Sequence, residues 1–285
     1  ARDGGADGAH RLGIGLGPAI ARLEPEEPQG AQIILAQALV RLAHEAVRAT
    51  GCDRLAIAGG VASNIKATRA ARQLPEVGEV YVFPHMGDGG LALGAALAAA
   101  ADGGQAAPFR LDDLALGPAY DGETVAAALR SAGLAASRPA DLPGEVAALL
   151  AGEKVVLWFE GRMEYGPRAL GQRSVLARAD RPALRDRLNL LLKRRVWYQP
   201  FCPSLLESEA RRAFVDLKGA PSRHMTAAYL VGDPFRAALA GVTGIDGSCR
   251  PQVVPDDAPG PFAALLRAMR ESGGFGAVLN TSFNI

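Results

Sequence analysis

The sequence predicts an α/β protein made of two consecutive units. Three observations carry this. Residues 28–101 run helix, strand, helix, strand, helix. An apolar strand pattern at 55–58 opens directly into Gly59-Gly60. After a stretch at 102–122 that carries Gly, Pro and Asp without a period, strand and helix patterns alternate again to the last residue. A chain of 285 residues has room for two domains of ordinary size.

Taken in order, residues 1–28 are rich in Gly, Ala and Pro and set no period. Pro28 opens a helix in which Ile33, Ile34, Leu35, Leu39, Leu42 and Val47 recur at helical spacing, and Gly51 stands where a helix C-terminus favours glycine. The strand at 55–58 follows, then a helix from near Val61, a second strand at 80–83, a turn at 84–90, and an Ala/Leu-rich helix to about Ala101. The stretch 102–122 reads as a linker. Helices are expected at 123–133, 143–151, 181–194 and 261–272, and strands at 155–159, 174–178, 225–231 and 275–279. No internal repeat is visible.

Composition narrows the function classes. With 49% apolar and 21% charged residues the chain can bury a core. A net charge of +1, from 31 basic and 30 acidic residues, offers no general attraction for nucleic acid or an anionic membrane. No apolar run reaches the roughly 18 residues of a membrane span. Cys52, Cys202 and Cys249 are odd in number and widely spaced, which argues against a disulfide framework and for a cytoplasmic location. The chain opens on Ala1-Arg2-Asp3 and closes just after an apolar segment, so both ends read as cuts through a longer protein.

Several motifs carry chemistry. In 55–64 an apolar strand runs through Gly59-Gly60 to Ser63-Asn64; such a turn lets backbone N–H groups approach phosphate oxygens, although a plain tight turn reads the same way. In 84–90 Asp88 lies between glycines at the end of a strand, where open α/β sheets place ligands; Asp88 suits a metal ligand, a turn residue or a helix cap. The strongest segment is 161–174, with Arg162, Arg168 and Arg173 among Gly and Pro turns. Their planar forks suit a rigid anion-binding loop. The basic triplet Lys193-Arg194-Arg195 either caps a helix C-terminus or faces an anion. Further polar groups stand at 246–252, including Arg250, and at 279–284, including Asn280 and Ser282.

In this order, Ala-Gly-Gly-Val-Ala-x-Asn, Gly-Asp-x-Gly, Gly-Pro-Arg-Ala-Leu-Gly-x-Arg-Ser and Asn-Thr-Ser-Phe-Asn resemble the O-carbamoyltransferase family of the tobramycin, cephem and nodulation-factor type, from about Gln29 to Ile285. The resemblance implies that an N-terminal half is absent. It implies that residues 1–117 are the C-terminal half of an actin/Hsp70-like ATPase-type domain. Residues 118–285 would be an α+β carbamoyl-adenylate-forming (YrdC-like) domain truncated at its C-terminus. The implied activity joins carbamoyl phosphate and ATP into carbamoyl adenylate, releases pyrophosphate, and passes the carbamoyl group to a hydroxyl of an antibiotic- or sugar-like acceptor.

Position by position, the resemblance makes Arg168, Lys193 and Arg250 catalytic. It makes Gly59, Gly60, Asn64, Asn280 and Ser282 contacts to nucleotide or carbamoyl phosphate. Asp88 becomes a ligand of a divalent metal, Fe(II) by its type, whose histidine partners lie in the missing half; Mg can accompany ATP. Two positions depart from the family pattern Lys-x-Arg-Glu-x-Phe-Arg-Pro-Phe-Ala-Pro: Val196 replaces the Glu and Gln199 the second Arg. The family's His before Asp-Gly is also displaced, with Gly244-Ile245 preceding Asp246. A tRNA threonylcarbamoylation-type enzyme and a catalytically silent nucleotide-binding homologue are the competing readings.

Overall fold

The computed structural model describes residues 28–105, 111 and 113–284. The expectations for residues 1–27 lie outside the described residues. The first unit holds helix α1 (Pro28–Thr50), strand β1 (Arg54–Ile57), helix α2 (Ile65–Arg72), strand β2 (Glu79–Val82) and helix α3 (Leu91–Asp102). β1 and β2 pair in parallel, Arg54 opposite Glu79 through Ile57 opposite Val82. Both strands therefore end at the same edge, and Gly59 N–H donates to Met86 O at 2.7 Å, tying the two following turns together. The helix expected from Val61 divides: a 3₁₀ turn spans Gly60–Ser63, and Asn64 then caps α2.

The second unit begins with helices α4 (Gly122–Ser131) and α5 (Leu142–Ala151). The order continues with β3 (Val156–Phe159), β4 (Arg173–Arg178), α6 (Pro182–Arg187), β5 (Cys202–Leu206), α7 (Glu207–Ala213), β6 (Tyr229–Leu230), β7 (Ser248–Cys249), β8 (Gln252–Val254), α8 (Pro261–Gly273) and β9 (Ala277–Ser282). Five strands form one sheet in the order β3-β4-β9-β5-β8, all antiparallel neighbours except β5 and β8. Alternate residues face opposite layers. Val175, Leu205, Val253 and Leu279 pack with Phe214, Tyr229 and Leu239 on one side; Leu176, Leu206, Val254 and Val278 pack with Leu150, Leu265 and Leu266 of α5 and α8 on the other.

Four expectations change. The helix at 181–194 stops at Arg187 and widens into a π-helical turn over Leu188–Leu192, in which Lys193 N–H reaches back five residues to Leu188 O. The strand at 225–231 shrinks to Tyr229–Leu230, because Met225 takes a left-handed φ of 56° that no strand accommodates. β5, hidden in sequence by Pro203, joins β8 only from Ser204 onward, so the proline meets no missing partner on that side. The linker is fixed in its latter part: Leu114 is buried with Leu170, Cys202 and Met225, and Gly117 N–H donates to Met163 O at 2.8 Å.

The two units touch through α2. Arg69 pairs with Asp216 at 2.5 Å, Lys66 with Asp246 at 3.0 Å, and buried Arg72 donates to Ala228 O while its guanidinium lies 4.2 Å from the centre of the Tyr229 ring. Lys218 donates to the carbonyls of Arg72, Leu74 and Val77 just beyond the C-terminal end of α2.

Candidate functional site

Strand register decides what meets at one end of the large sheet. Asn280 lies opposite Cys202, and Ser174 lies opposite Ser282. The start of β4, the start of β5 and the end of β9 therefore converge. On the face that is apolar further along, the strands here carry Ser174, Ser204, Gln252 and Asn280, all buried. These polar side chains bond to each other and to the loop above them. Ser204 Oγ donates to Gln252 Oε1 at 2.7 Å, Gln252 Nε2 to Leu170 O at 2.7 Å, and Asn280 Nδ2 to Ala169 O at 3.1 Å.

That loop is the Arg168 segment. Glu164, itself buried, accepts from Leu170 N–H at 2.7 Å and Arg173 N–H at 3.2 Å, folding 164–173 into a closed turn. Gly171 holds a φ of 101°, and a Cβ there would lie 2.5 Å from the Phe262 ring; only glycine fits. Of the three arginines expected to bind an anion, only Arg168 remains available. Arg162 donates to Gly117 O and Leu116 O. Arg173 donates to Glu160 O and Gly161 O and stacks on Phe159 with its guanidinium 3.6 Å from the ring centre. The sequence pattern counted all three alike because it does not show which carbonyls a loop leaves unpaired.

Around the convergence point is a cavity of about 350 Å³ lined by Arg168, Lys193, Arg195, Arg250, Asn280 and Ser282, with Cys202 and Met225 among the remaining lining residues. The structure thus brings together five of the residues singled out from sequence: Arg168, Lys193, Arg250, Asn280 and Ser282. Arg195 joins them; it was visible in sequence only as part of a basic triplet. The π-helical turn and Asn189 explain its placement. Fully buried Asn189 donates to Trp197 O at 2.7 Å and Gln199 O at 2.8 Å and accepts from Arg195 Nε at 2.7 Å, fixing the segment that follows. Lys193 donates to Ser282 O at 2.6 Å and to Asn284 Oδ1 at 3.2 Å, so it joins this wall to the end of β9 rather than capping a helix.

Among the described residues, four cations line the cavity and no carboxylate does. Burial, reinforced by Arg250, holds the Arg168 guanidinium below the usual arginine value, and its buried Nε has no partner. Burial and then Arg195 lower Lys193 in the same way. Burial also lowers Arg195, with Cys202 opposing and Arg250 adding to the effect. Arg250 donates from Nε to Cys202 Sγ at 3.2 Å. Like charges gathered without counter-charge are unfavourable by themselves and become favourable when an anion enters.

Gln199 and Val196, the departures from the family pattern, are exposed and do not line the cavity. The main chain of Gln199, through its carbonyl, is what the fold uses. Asp246, where the histidine is displaced, accepts from Ser248 N–H and pairs with Lys66 of the first unit.

Gly59, Gly60, Asn64 and Asp88 lie in the first unit and are not part of the cavity. Gly59 has a φ of 100°, which opens the turn after β1. Asn64 accepts from Ala67 N–H at 3.1 Å and exchanges amide bonds with Gln32, so its side chain is occupied by capping. Asp88 is exposed at the start of a 3₁₀ turn, and no cluster of three His, Cys, Asp or Glu suited to a metal occurs among the described residues. The Asp88 turn is nonetheless joined to the Arg168 loop. Tyr165 donates its hydroxyl to Gly89 O at 3.0 Å, and its ring packs edge-on against His85 at 5.1 Å. No helix among the described residues is long and apolar enough to cross a membrane.

Comparison with known proteins agrees with this architecture. Residues 147–285 match the family model described as the carbamoyltransferase C-terminus, and residues 25–97 match the carbamoyltransferase N-terminus. A Methanocaldococcus jannaschii protein described as uncharacterized is 38% identical over 241 residues, covering 82% of this chain and 39% of its own length. The nodulation protein NolNO of Sinorhizobium fredii is 35% identical over 264 residues, covering 88% of this chain and 38% of its own. The nodulation protein NolO of Bradyrhizobium diazoefficiens is 34% identical over 259 residues, covering 88% and 47%. The chain spans less than half the length of each of these relatives. With both family models matched in order along one chain, this protein belongs to the carbamoyltransferase family.

Proposed function

We propose that the protein is an ATP-dependent O-carbamoyltransferase that uses carbamoyl phosphate as donor and a hydroxyl of a small sugar- or antibiotic-like molecule as acceptor. The observation that carries this reading is the cavity lined by Arg168, Lys193, Arg195 and Arg250, with no carboxylate among the described lining residues. Carbamoyl phosphate and the phosphates of ATP are the anions that family membership brings to such a site. Arg168, with its unpartnered Nε, and Arg250 offset the negative charge of the donor phosphate. Water first releases the donor's phosphate as orthophosphate, leaving carbamate; Lys193 and Arg195, held by Asn189 and the end of β9, then favour charge building on the nucleotide as the carbamate oxygen attacks the α-phosphorus, pyrophosphate departs and carbamoyl adenylate forms. Asn280 and Ser282 supply polar contacts from β9. With no carboxylate among the described lining residues, Mg would enter with the nucleotide.

In this reading the first unit is the C-terminal half of an actin/Hsp70-like domain, and the second is a YrdC-like domain. Support comes from the parallel β1–β2 pair with both turns at one edge, and from the anion cavity in a separate mixed sheet. The turns at Gly59-Gly60 and Asp88 would receive the adenylate, and the Tyr165–Gly89 contact keeps them next to the Arg168 loop. The described residues do not by themselves compose a metal site, since Asp88 offers one carboxylate and a transition-metal site needs about three protein ligands. A divalent metal such as Fe(II) would draw its other ligands from elsewhere in the whole protein.

The deciding experiment is carbamoyl-phosphate-dependent exchange of pyrophosphate into ATP by the whole protein. Exchange that needs carbamoyl phosphate and is lost in Arg168→Ala is expected. No exchange, with intact binding of phosphate, would leave a silent nucleotide-binding homologue as the better reading.

A further inference from the structure

We propose that Cys202 is a covalent modification site of the cavity: a small electrophile that carries a carboxylate or a phosphate is drawn to the cations and alkylates Sγ, and the adduct shuts out other anions. The proposal rests on the reading of the cavity as an anion site, and on nothing more specific about the donor.

Strand alternation sets the direction of the thiol. On β5, Cys202 and Ser204 face the same side, and Ser204 Oγ bonds to Gln252 Oε1 beneath the loop that carries Arg168. Cys202 packs there against Leu170 and Met225 and is part of the cavity wall. Arg250 Nε donates to Sγ at 3.2 Å, so the sulfur lies directly against one of the cavity's cations. Cys202 acts on Arg168 and Arg195 as well, partly opposing the burial that lowers each. It keeps 7% of its surface open, whereas Leu205 and Leu206 further along β5 keep none. The other two thiols lack this setting. Cys52 is exposed in the first unit, off the cavity wall. Cys249 is buried, and burial pushes its thiol well up.

Four cations, with no carboxylate among the described lining residues, concentrate anions at the wall. An anion held there keeps its reactive carbon beside Sγ for the lifetime of the complex, which raises the rate through proximity. With iodoacetate as the electrophile, Sγ attacks the methylene carbon, the C–I bond breaks, iodide leaves, and the thiol proton passes to solvent. The carboxymethyl thioether then tethers a carboxylate among Arg168, Lys193, Arg195 and Arg250, where it takes up the charge that a free phosphate would otherwise meet.

The test labels the whole protein with iodoacetate and, separately, with its neutral counterpart iodoacetamide, and follows each cysteine by peptide mass spectrometry. Exposed Cys52 is the internal reference for the intrinsic difference between the two reagents. The iodoacetate-to-iodoacetamide rate ratio should be at least about tenfold higher at Cys202 than at Cys52. Phosphate at about ten times its Kd should slow labelling of Cys202 roughly tenfold and leave Cys52 unchanged. Pretreatment with iodoacetate should weaken phosphate binding at least about tenfold, and should not do so in Cys202→Ser, each protein being compared with its own untreated form. No labelling of Cys202 in the folded protein, or the same ratio at Cys202 as at Cys52, would overturn the proposal whether or not the variant folds. Calorimetry of phosphate on the untreated protein tells two failures apart. Phosphate that binds without protecting Cys202 overturns the proposal and leaves the anion cavity standing; if phosphate does not bind, the reading of the cavity fails and the proposal falls with it.

Discussion

Replacing Arg168 with Met should separate binding from stability. The substitution keeps most of the length and apolar volume of the side chain while removing its charge. In the anion-free protein, Arg168 has a buried Nε without a partner and the like charge of Arg250 beside it. Its loss should leave the melting temperature unchanged or raise it, by up to about 1 kcal/mol of stability, the direction expected when an unpaired charge leaves a partly buried site. The anion-bound protein should respond oppositely. A charged hydrogen bond contributes about 1.5–3 kcal/mol, so phosphate or carbamoyl phosphate should bind roughly 30-fold more weakly. Ligand at about 100 times its wild-type Kd stabilises the wild type by about 2.7 kcal/mol, or roughly 5–10 °C for a protein of this size. At the same concentration the variant should gain only about 0.9 kcal/mol, roughly 2–3 °C. Differential scanning fluorimetry with and without phosphate, together with calorimetry, reads both halves. An Arg168→Met protein that melts several degrees lower without anion, yet keeps the wild-type shift with it, would show that Arg168 is a structural residue and that the cavity is not organised around it.

Three further outcomes follow from the same geometry. Lys193 sits below the ordinary lysine range because of burial and Arg195, and a bound anion favours its protonated form. Anion affinity should therefore be full below the lowered pKa of Lys193 and decline as pH rises through it, with proton uptake on binding in that window; calorimetry in buffers of different ionisation enthalpy checks this, and Lys193→Met should flatten the profile. Asn189→Ala should cost about 2–3 kcal/mol in urea unfolding, since two carbonyls lose their donor, and should weaken phosphate binding by loosening Arg195. Gln199→Arg should change phosphate affinity by less than about 0.5 kcal/mol, because the side chain at 199 is exposed off the cavity wall; a tenfold gain by titration would place that side chain in the site after all.

The first unit was largely legible in the sequence, because its elements are local. The helical spacing of 28–50 and the apolar run before Gly59 each announce themselves within a few residues, whereas the cap at Asn64 lies three residues past the helix start expected near Val61. The central sheet of the second unit was harder to read. β5 contains Pro203 and β8 is three residues long, so neither shows a strand pattern; each is held as a strand by pairing with segments distant in sequence. At the cavity, the motif residues Arg168, Lys193, Arg250, Asn280 and Ser282 were identifiable by residue type. The division of labour within the arginine loop was not. Whether Arg162, Arg168 or Arg173 stays free depends on which carbonyls of residues 116–117 and 160–161 come within reach, and those come from distant segments or from the loop's own folding. Gln199 shows a related limit: a position inside a motif can serve through its main chain alone.

β9 lies in the middle of its sheet but is the last to be made of the strands among the described residues. Both of its neighbours, β4 and β5, are waiting for it, and β4 is complete roughly 100 residues earlier. At about 5–20 residues per second of synthesis, β4 spends roughly 5–20 s on a growing chain with an unpaired inner edge, carrying Val175 and Leu176 and ready to pair with another strand. The anion cavity cannot exist in that interval, since Asn280, Ser282 and the carbonyl that anchors Lys193 arrive together on the closing strand. Ligand therefore cannot help the early sheet to form; it can only hold the finished one. A nascent chain that stalls before Ala277 offers an open sheet without the pocket that would reward closing it, so closure of the sheet depends on the speed of synthesis and not on ligand.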